Sequence, residues 1–370
     1  MVDLKTQYEK IQAEIDRAVL DVVSSTEYIN GPEVRQFQAD LEAYLGGGYV
    51  IPCANGTDAL QIAMMALGLK AGDEVIVPAF TYVATAEVIA LLGLTPVMVD
   101  VDPDTFNMTT ALVEAAITPR TRAIVPVHLF GQSVDMEPLL ELARRHNLYV
   151  IEDNAQAIGA DYTFANGIRQ KTGMMGDIGC TSFFPSKNLG CYGDGGAMMT
   201  RDADLAKRMR MIANHGQDRQ YYHAKVGVNS RLDSIQAAIL RVKLPHLDEY
   251  CDARRHAADY YDAAFAEIPQ LKTPVRQSNS THVFHQYTLV LLEGDRDALR
   301  QHLTELHIPA MIYYPVPLYD QQAFSHYWAG GKLPVTESLC NSVISLPMHT
   351  ELTSEIQDII INAVKSYFEK

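Results

Sequence analysis

A lysine stands between an apolar run and a glycine-rich loop in the segment TSFFPSKNLGCYGDGGAMMT, residues 181–200. A phosphate-binding P-loop carries glycine directly before its lysine, whereas Ser186 precedes Lys187 here. Because apolar neighbours disfavour the charged ammonium, the amine of Lys187 should be nucleophilic enough to form a Schiff base with an aldehyde. The glycines after it would let the backbone approach a flat cofactor closely. The segment therefore predicts a lysine that binds a carbonyl cofactor covalently.

Such a lysine favours pyridoxal 5'-phosphate (PLP), and this cofactor needs three further kinds of protein group. The pyridine nitrogen needs a carboxylate, which Asp153 offers at the end of a strand-like run, with Gln156 available for the ring hydroxyl. The phosphate needs small residues at a helix N-terminus, and Gly56 and Thr57 precede an apolar helical pattern. The ring needs a flat cover, which the aromatic residues within 80–82 could provide. Each feature alone fits an ordinary loop or cap, but together they indicate a PLP site.

Alternating strand and helix patterns must position these groups. We predict strands at 74–78, 95–99, 122–127, 149–152 and 180–184, and helices at 58–67, 84–92, 110–117 and 136–146. Continuously apolar strands are typical of parallel sheets that are buried on both faces. The alternation predicts a three-layer α/β domain with right-handed crossovers, in which ligands bind beyond the carboxyl ends of the strands.

The second part of the chain has a different pattern. The segment LPHLDEY indicates a boundary near residue 245, which divides a large α/β domain (1–245) from a smaller α+β domain (246–370). In the smaller domain we predict helices at 254–266, 296–307 and 354–368, and a strand at 282–292. A helical arm precedes the large domain, with Ile11, Ile15, Ala18 and Val22 on one face.

Composition excludes several classes of protein. The 370 residues carry a net charge of −15, which argues against a nucleic-acid partner held by a positive field. We expect no membrane span, because no apolar run is long enough, and residues 1–30 lack the core of a signal peptide. The five scattered cysteines have no CxxC spacing, so we expect buried thiols, no metal site and a cytoplasmic location.

Several motifs together resemble the nucleotide-sugar aminotransferases of the DegT/StrS family. They are YINGPEV, CANGTDAL, GDEVIVPAFTYVATA, IEDNAQ, SFFPSKNLGCYGDGGA, GVNSRLDSIQAA and YYPVPL, and they extend over nearly the whole chain. The resemblance implies the aspartate aminotransferase fold (fold type I of PLP enzymes). It also implies that Lys187 is the Schiff-base lysine and moves a proton between substrate and cofactor carbons. A sister branch of the family has histidine at this position and dehydrates sugars, so Lys187 favours transamination.

The resemblance also implies how the cofactor is bound. The matching residues are Asp153 at the pyridine nitrogen, Gln156 at the ring hydroxyl, Tyr82 on the ring face, and Gly56, Thr57, Ser182 and Asn229 at the phosphate. Asn229 would reach the phosphate of the neighbouring subunit, so we expect a homodimer with shared active sites. Ser182 and Lys187 bracket one strand–loop turn, so both can face the same cofactor. Ordinary loop hydrogen bonding is the alternative interpretation of Ser182 and Asn229.

The motif around Lys187, together with HGQDRQYYH and GVNSRLD, is similar to one subgroup of this family. That subgroup aminates C3 of a UDP-linked 2-acetamido-3-keto-hexuronate with L-glutamate as amino donor, for bacterial surface polysaccharide (O-antigen). A sugar carboxylate needs a local cation, and Arg231 is the candidate because its guanidinium can bind a carboxylate bidentately. The alternative for Arg231 is a surface or interface ion pair.

By the same resemblance Tyr28, Ser186, Tyr313 and Tyr314 would line the sugar-nucleotide pocket. The subgroup often has a histidine–tyrosine pair where this chain has Tyr313 and Tyr314. A tyrosine carries no positive charge at neutral pH, which weakens the case for a uronate. A dTDP-linked 3-keto-6-deoxyhexose is therefore the alternative substrate.

Two further classes of function compete with transamination. A desulfurase or lyase of the same fold would need a mobile reactive cysteine, for which Cys180 and Cys191 are placed on either side of Lys187. Neither has a visible activating base among its neighbours in the sequence. A non-catalytic regulator of this fold would be expected to carry a DNA-binding segment, and the chain has no basic patch for one.

Overall fold

The computed structural model describes residues 1–328 and 330–369. Its helices are α1 (Leu4–Lys10), α2 (Gln12–Ser25), α3 (Pro32–Tyr44), α4 (Gly56–Leu67), α5 (Ala84–Leu91), α6 (Thr110–Ala116), α7 (Met136–His146), α8 (Ala203–Ala213), α9 (Ser234–Lys243), α10 (Leu247–Phe265), α11 (Arg296–Glu305), α12 (Pro334–Ser342) and α13 (Ser354–Phe368). Its strands are β1 (Tyr49–Cys53), β2 (Glu74–Pro78), β3 (Thr95–Val99), β4 (Thr121–Ile124), β5 (Tyr149–Asp153), β6 (Asp161–Thr163), β7 (Arg169–Lys171), β8 (Ile178–Ser182), β9 (Gly196–Thr200), β10 (Gln217–Arg219), β11 (Tyr222–His223), β12 (Leu271–Lys272), β13 (Tyr287–Leu291) and β14 (Val343–Leu346).

The central sheet has the strand order β1-β9-β8-β5-β4-β2-β3 within the described residues. Strands β3, β2, β4, β5 and β8 pair in parallel, whereas β9 pairs antiparallel with both β8 and β1. Alternate side chains of one strand enter different apolar cores: Val75 and Val77 pack with α4 and α5, while Ile76 packs with α7. The sheet is therefore covered by helices on both faces, and the predicted mostly parallel α/β architecture is confirmed.

Proline explains two differences from the predicted strands. The strand predicted at 122–127 is regular only to Ile124, because Pro126 has no N–H to donate to the ladder. The Pro126 carbonyl still accepts from the Asp153 N–H at 2.8 Å, which keeps this segment beside β5. Strand β1 was not predicted; it contains Pro52 and lies at the edge of the sheet, where proline is tolerated.

A smaller antiparallel sheet, β12-β13-β14, is covered by α10, α11 and α13. The predicted strand at 282–292 was wrong in its first half, because only Tyr287–Leu291 is strand. The preceding backbone bonds to a loop of the large sheet instead: Val283 N–H donates to the Gly131 carbonyl at 2.9 Å. Helix α10 packs Leu247 in one core and Tyr261 in the other, and the domain boundary at residue 245 stays a prediction.

The N-terminal arm packs through an apolar face, as its spacing predicted. Ile11 and Ile15 form a small cluster with Ile239 of α9.

All five cysteines are free and buried, which confirms the expectation of buried thiols. Over residues 1–328 and 330–369, no helix combines the length and the apolar character that crossing a bilayer requires.

Candidate active site

Asp153 and Lys187 lie at the carboxyl ends of the neighbouring strands β5 and β8. Asp153 is the last residue of β5, and its buried carboxylate accepts hydrogen bonds from Thr85 Oγ1 at 2.7 Å and from Ala155 N–H at 3.2 Å. Burial raises the pKa of this carboxyl, while those hydrogen bonds and the charge of Lys187 lower it. Burial lowers the pKa of Lys187 to about 8, against the opposing charge of Asp153. Near neutral pH, an appreciable fraction of the Lys187 amine is therefore uncharged and nucleophilic.

Glu152 precedes Asp153 but has a different task, because successive side chains of a strand point to opposite faces. Its fully buried carboxylate accepts from the backbone N–H groups of Gly173, Met175 and Gly176 at 2.7–2.8 Å. It also lies 2.9 Å from Nε2 of His128. Glu152 therefore holds the turn before β8, and only Asp153 is placed at the Lys187 side.

The amide of Gln156 is oriented by its surroundings. Its Oε1 accepts from the Phe130 N–H at 2.7 Å, and its Nε2 donates to the Tyr314 hydroxyl at 3.2 Å. One N–H of the Nε2 group remains available as a donor. A donor at this position suits the ring hydroxyl oxygen of PLP.

The start of α4 and the end of β8 form a cradle, which we define as residues 55–57 together with Ser182. The Asn55 side chain caps α4 by accepting from Asp58 N–H at 2.8 Å. A Cβ added to Gly56 would lie 2.8 Å from Cβ of Ser182, and one added to Gly196 would lie 2.5 Å from the Asn55 carbonyl. Backbone N–H groups at a helix N-terminus, next to a serine hydroxyl, suit a phosphate. The cradle and the Asp153 carboxylate thus fit PLP.

Aromatic side chains surround this region. The ring of Tyr82, which is 57% exposed, lies 6.3 Å from that of Tyr314 between centroids. Tyr314 also packs edge-on against the buried Phe80 at 6.0 Å. Tyr82 therefore has a free face on the accessible side, as a residue that stacks on a cofactor ring requires.

The remaining predicted substrate residues fall into two groups. Ser186 and Tyr313 are half-buried, the first in the Lys187 loop and the second beside Tyr314. Tyr28 and Arg231 belong to two segments that pair with each other, through the Ile29–Asp233 bridge and a Ser234 N–H bond to the Tyr28 carbonyl at 3.0 Å.

Asn229 is exposed, and the neighbouring Ser230 hydroxyl accepts from Ala54 N–H at 3.0 Å, next to the cradle. Arg231 is half-buried and forms none of the ion pairs found within residues 1–328 and 330–369. Within those residues, Tyr28 donates its hydroxyl to the Val23 carbonyl at 3.2 Å and makes no hydrogen bond to Lys187 or Asp153. In the single chain, Lys187, Asp153, Gln156 and the cradle thus lie near the carboxyl ends of β5 and β8, whereas Tyr28 and Asn229 are exposed.

Sequence reasoning missed three side chains. Thr85, in the first turn of α5, contacts Asp153 directly. It follows Tyr82 by three residues, so its place in the sequence could have pointed to the site. The buried His285 comes from the segment wrongly predicted as strand; burial, together with the charge of Lys187, lowers its pKa well below the usual value. Lys243, at the end of α9, donates to the Gly190 carbonyl at 2.7 Å and so holds the loop that follows Lys187.

The two cysteines on either side of Lys187 are not activated. Burial raises the pKa of Cys180 well above its ordinary value and that of Cys191 to about 11. The Cys191 thiol donates to the carbonyls of Phe183 and Gly193 at 3.0 and 3.2 Å. Because the thiolate is the reactive form, these environments oppose nucleophilic chemistry at either sulfur.

Comparison with known proteins gives one family. The model of the DegT/DnrJ/EryC1/StrS aminotransferase family matches residues 9–365. The chain is 46% identical to the UDP-2-acetamido-2-deoxy-3-oxo-D-glucuronate aminotransferase of Pseudomonas aeruginosa, over 98% of each chain. It is also 46% identical to a UDP-N-acetyl-3-dehydro-alpha-D-glucosamine 3-aminotransferase of Acidithiobacillus ferrooxidans, over 96% of this chain and 94% of the relative. A Geobacillus stearothermophilus protein named a pleiotropic regulatory protein is equally similar, at 46% over 100% and 98%.

Other relatives carry a different nucleotide in their names. A dTDP-3-amino-3,4,6-trideoxy-alpha-D-glucose transaminase of Streptomyces venezuelae is 41% identical over 100% of this chain and 96% of its own. Among solved structures, S. venezuelae DesV in complex with a ketimine intermediate superposes with a TM-score of 0.95 at 42% identity, covering 100% and 98% of the two chains. A Brucella abortus aminotransferase gives 0.94 at 43% identity, over 100% and 99%. The chain therefore belongs to the DegT/DnrJ/EryC1/StrS aminotransferase family.

Proposed function

We propose that this PLP-dependent sugar aminotransferase moves the amino group of L-glutamate to the C3 keto group of a UDP-linked 2-acetamido-3-keto-hexuronate. The product would serve bacterial surface polysaccharide (O-antigen) synthesis in the cytoplasm. The structural observation that carries the uronate is Arg231, a half-buried guanidinium outside the ion pairs of the described residues. The 46% identity to the P. aeruginosa 3-oxo-glucuronate enzyme supports the same substrate.

The residues of the candidate site divide the chemistry among them. When bound, PLP supplies an electron sink for the carbon that carries the amino group. The Asp153 carboxylate would hold a proton at the pyridine nitrogen, and the free N–H of Gln156 would donate to the ring hydroxyl oxygen. The Lys187 amine, with its pKa lowered to about 8, would hold and move the proton between carbon atoms. The cradle would bind the phosphate through backbone N–H groups and the Ser182 hydroxyl.

A homodimer would complete the site. Asn229 is exposed, Tyr28 is 44% exposed, and Ile29 beside it is 50% exposed. A second copy of the chain packed on this face would bury the apolar surface and receive Asn229 at its cofactor phosphate. Such a dimer would explain why Asn229 and Tyr28 are exposed in a single chain, although the residues expected at the cofactor ring already lie close together.

The test of the proposal separates the two half-reactions. Arg231→Ala should abolish turnover of the uronate, because its guanidinium is assigned to the sugar carboxylate. The glutamate half-reaction, followed by PLP absorbance, should stay within about twofold. The matched control is Arg300→Ala, which removes an exposed arginine from α11. Turnover of a UDP-linked 3-keto sugar without the carboxylate should change little in either variant. Equal loss of both half-reactions would refute the assignment of Arg231 to the sugar.

A dTDP-linked 3-keto-6-deoxyhexose is the second candidate. It is favoured by the Tyr313–Tyr314 pair, which supplies no cation. Faster amination of the dTDP sugar than of the UDP uronate by the same preparation would select it.

The desulfurase hypothesis is opposed by the raised pKa values of Cys180 and Cys191. A non-catalytic regulator would not need the lowered pKa of Lys187 beside Asp153.

A further inference from the structure

The segment that begins α5 contributes two residues to the candidate site. Tyr82 stands just before the helix and supplies the free aromatic face, and Thr85 follows three residues later in its first turn. Thr85 is fully buried, and its Oγ1 donates to Oδ2 of Asp153 at 2.7 Å. Residues 82–85 therefore carry both the expected ring cover and the hydroxyl that contacts the Asp153 carboxylate.

The Asp153 carboxylate has few donors for its degree of burial. Oδ2 receives the Thr85 hydroxyl, and Oδ1 receives only the Ala155 N–H at 3.2 Å. Buried Glu152, by contrast, accepts three backbone N–H groups. The titratable groups that also influence Asp153 electrostatically are Lys187, His128, Cys180 and Tyr314.

Lys187 and His128 give the ionised Asp153 carboxylate little support. Lys187 is partly uncharged because burial lowers its own pKa to about 8. His128 accepts from the Val134 N–H at Nδ1, at 3.1 Å, so it donates from Nε2 to Glu152 rather than to Asp153. Within the described residues, the Thr85 hydroxyl thus makes the shortest hydrogen bond to this carboxylate.

We propose that Thr85 is a positioning residue that holds the Asp153 carboxylate ionised and aimed at the pyridine nitrogen. The proposal rests on the proposed role of Asp153 and is independent of which sugar is the substrate. Removing the hydroxyl costs the ionised form one hydrogen bond, which shifts the carboxyl equilibrium roughly tenfold, or about one pKa unit upward. The protonated carboxyl no longer favours a pyridinium, so cofactor binding weakens first at acid pH.

The chain offers a close control for this substitution. Thr336 is also fully buried, and its Oγ1 donates to the buried Asp100 at 2.7 Å, at the start of α12. Thr85→Val and Thr336→Val therefore remove the same chemical contact, one beside Lys187 and one elsewhere. Both should lower the melting temperature, but only the first should alter the cofactor.

The experiment measures the PLP dissociation constant by equilibrium dialysis between pH 6 and 8.5, and the acid limb of the glutamate half-reaction. Thr85→Val should weaken PLP binding increasingly toward the acid end of this range, by up to about tenfold, should change it less at pH 8, and should move the acid limb up by about one unit. Thr85→Ser should restore the wild-type profile, since it keeps the hydroxyl. If Thr85→Val does not fold, Thr85→Cys, a weaker donor of similar size, should give a smaller shift in the same direction.

Two results would overturn the proposal. One is an unchanged pH profile of PLP affinity in Thr85→Val, and the other is an equal shift in Thr336→Val. Asp153→Asn separates the proposal from its foundation. If that variant binds PLP like the wild type, the role of Asp153 fails; if it loses affinity while Thr85→Val does not, only the role of Thr85 fails.

Discussion

The Tyr314 hydroxyl accepts a hydrogen bond from Nε2 of Gln156 at 3.2 Å, across 158 residues of chain. The same amide accepts at Oε1 from the Phe130 N–H, so it has a single orientation. Burial raises the pKa of the Tyr314 hydroxyl, which keeps it protonated over the physiological range. The segment near residue 314 therefore stabilises the group expected at the ring hydroxyl of PLP, besides any contact that it makes with sugar.

We expect Tyr314→Phe to lower both PLP affinity and the rate of the glutamate half-reaction by about two- to tenfold. Gln156 loses one partner but keeps its Phe130 contact, so the effect should be about 0.5–1.5 kcal/mol, as for a single hydrogen bond between neutral groups. Stopped-flow absorbance with L-glutamate measures it. Tyr313→Phe is the control, since Tyr313 makes no such bond among the described residues. A Tyr314→Phe defect confined to the sugar half-reaction would contradict this expectation.

The cradle predicts a steric effect at Gly56. Gly56→Ala would place Cβ 2.8 Å from the Ser182 Cβ, below any ordinary contact, so either α4 or β8 must shift. We expect at least a tenfold loss of PLP affinity, measured by titration of the protein freed of cofactor. Gly331→Ala adds the same methyl group to open space and should change nothing. Equal PLP affinity in the two variants would show that the start of α4 does not bind the phosphate.

The pKa of Lys187 can be measured in the protein freed of cofactor. Burial favours the neutral amine, so its acylation rate should rise with pH and reach half its maximum near pH 8, the value to which the pKa is lowered. An unperturbed lysine would still be gaining reactivity near pH 10. Competitive labelling with acetic anhydride and peptide mass spectrometry gives the profile, with exposed Lys70 as the internal control. A Lys187 profile that follows Lys70 would show that the site does not activate its amine.

Glu152 should matter for stability more than for chemistry. Glu152→Gln replaces one carboxylate oxygen by an NH2 group, which then faces either the Gly173 N–H or the Met175 and Gly176 N–H groups and leaves buried donors without an acceptor. We expect a loss of roughly 2–4 kcal/mol in the free energy of unfolding. Urea denaturation measures it, with Glu114→Gln as the control, because Glu114 is an exposed residue of α6. A wild-type stability combined with loss of transamination would instead place Glu152 in the reaction.

Part of this protein can be predicted from local pattern. Apolar strands that end in Asp153, and a strand–loop turn that carries Ser182 and Lys187, are features of a few consecutive residues. Parallel strands bring their carboxyl ends to one edge, so the sequence predicted that these groups would meet. The strand at 282–286 was predicted wrongly, because apolar and aromatic residues there resemble a strand although their backbone bonds to the loop at Phe130 and Gly131.

The sequence by itself determined the chemistry: the amine at Lys187, the carboxylate at Asp153 and the small residues at the start of α4. Only the tertiary structure decided which other side chains form hydrogen bonds with these groups and how deeply they are buried. The contacts from Thr85 to Asp153 and from Gln156 to Tyr314 join residues 68 and 158 positions apart, and Glu152 faces away from its neighbour. The physical reason is that desolvation and hydrogen bonding depend on which distant segments pack together, and no local pattern of residues records that choice.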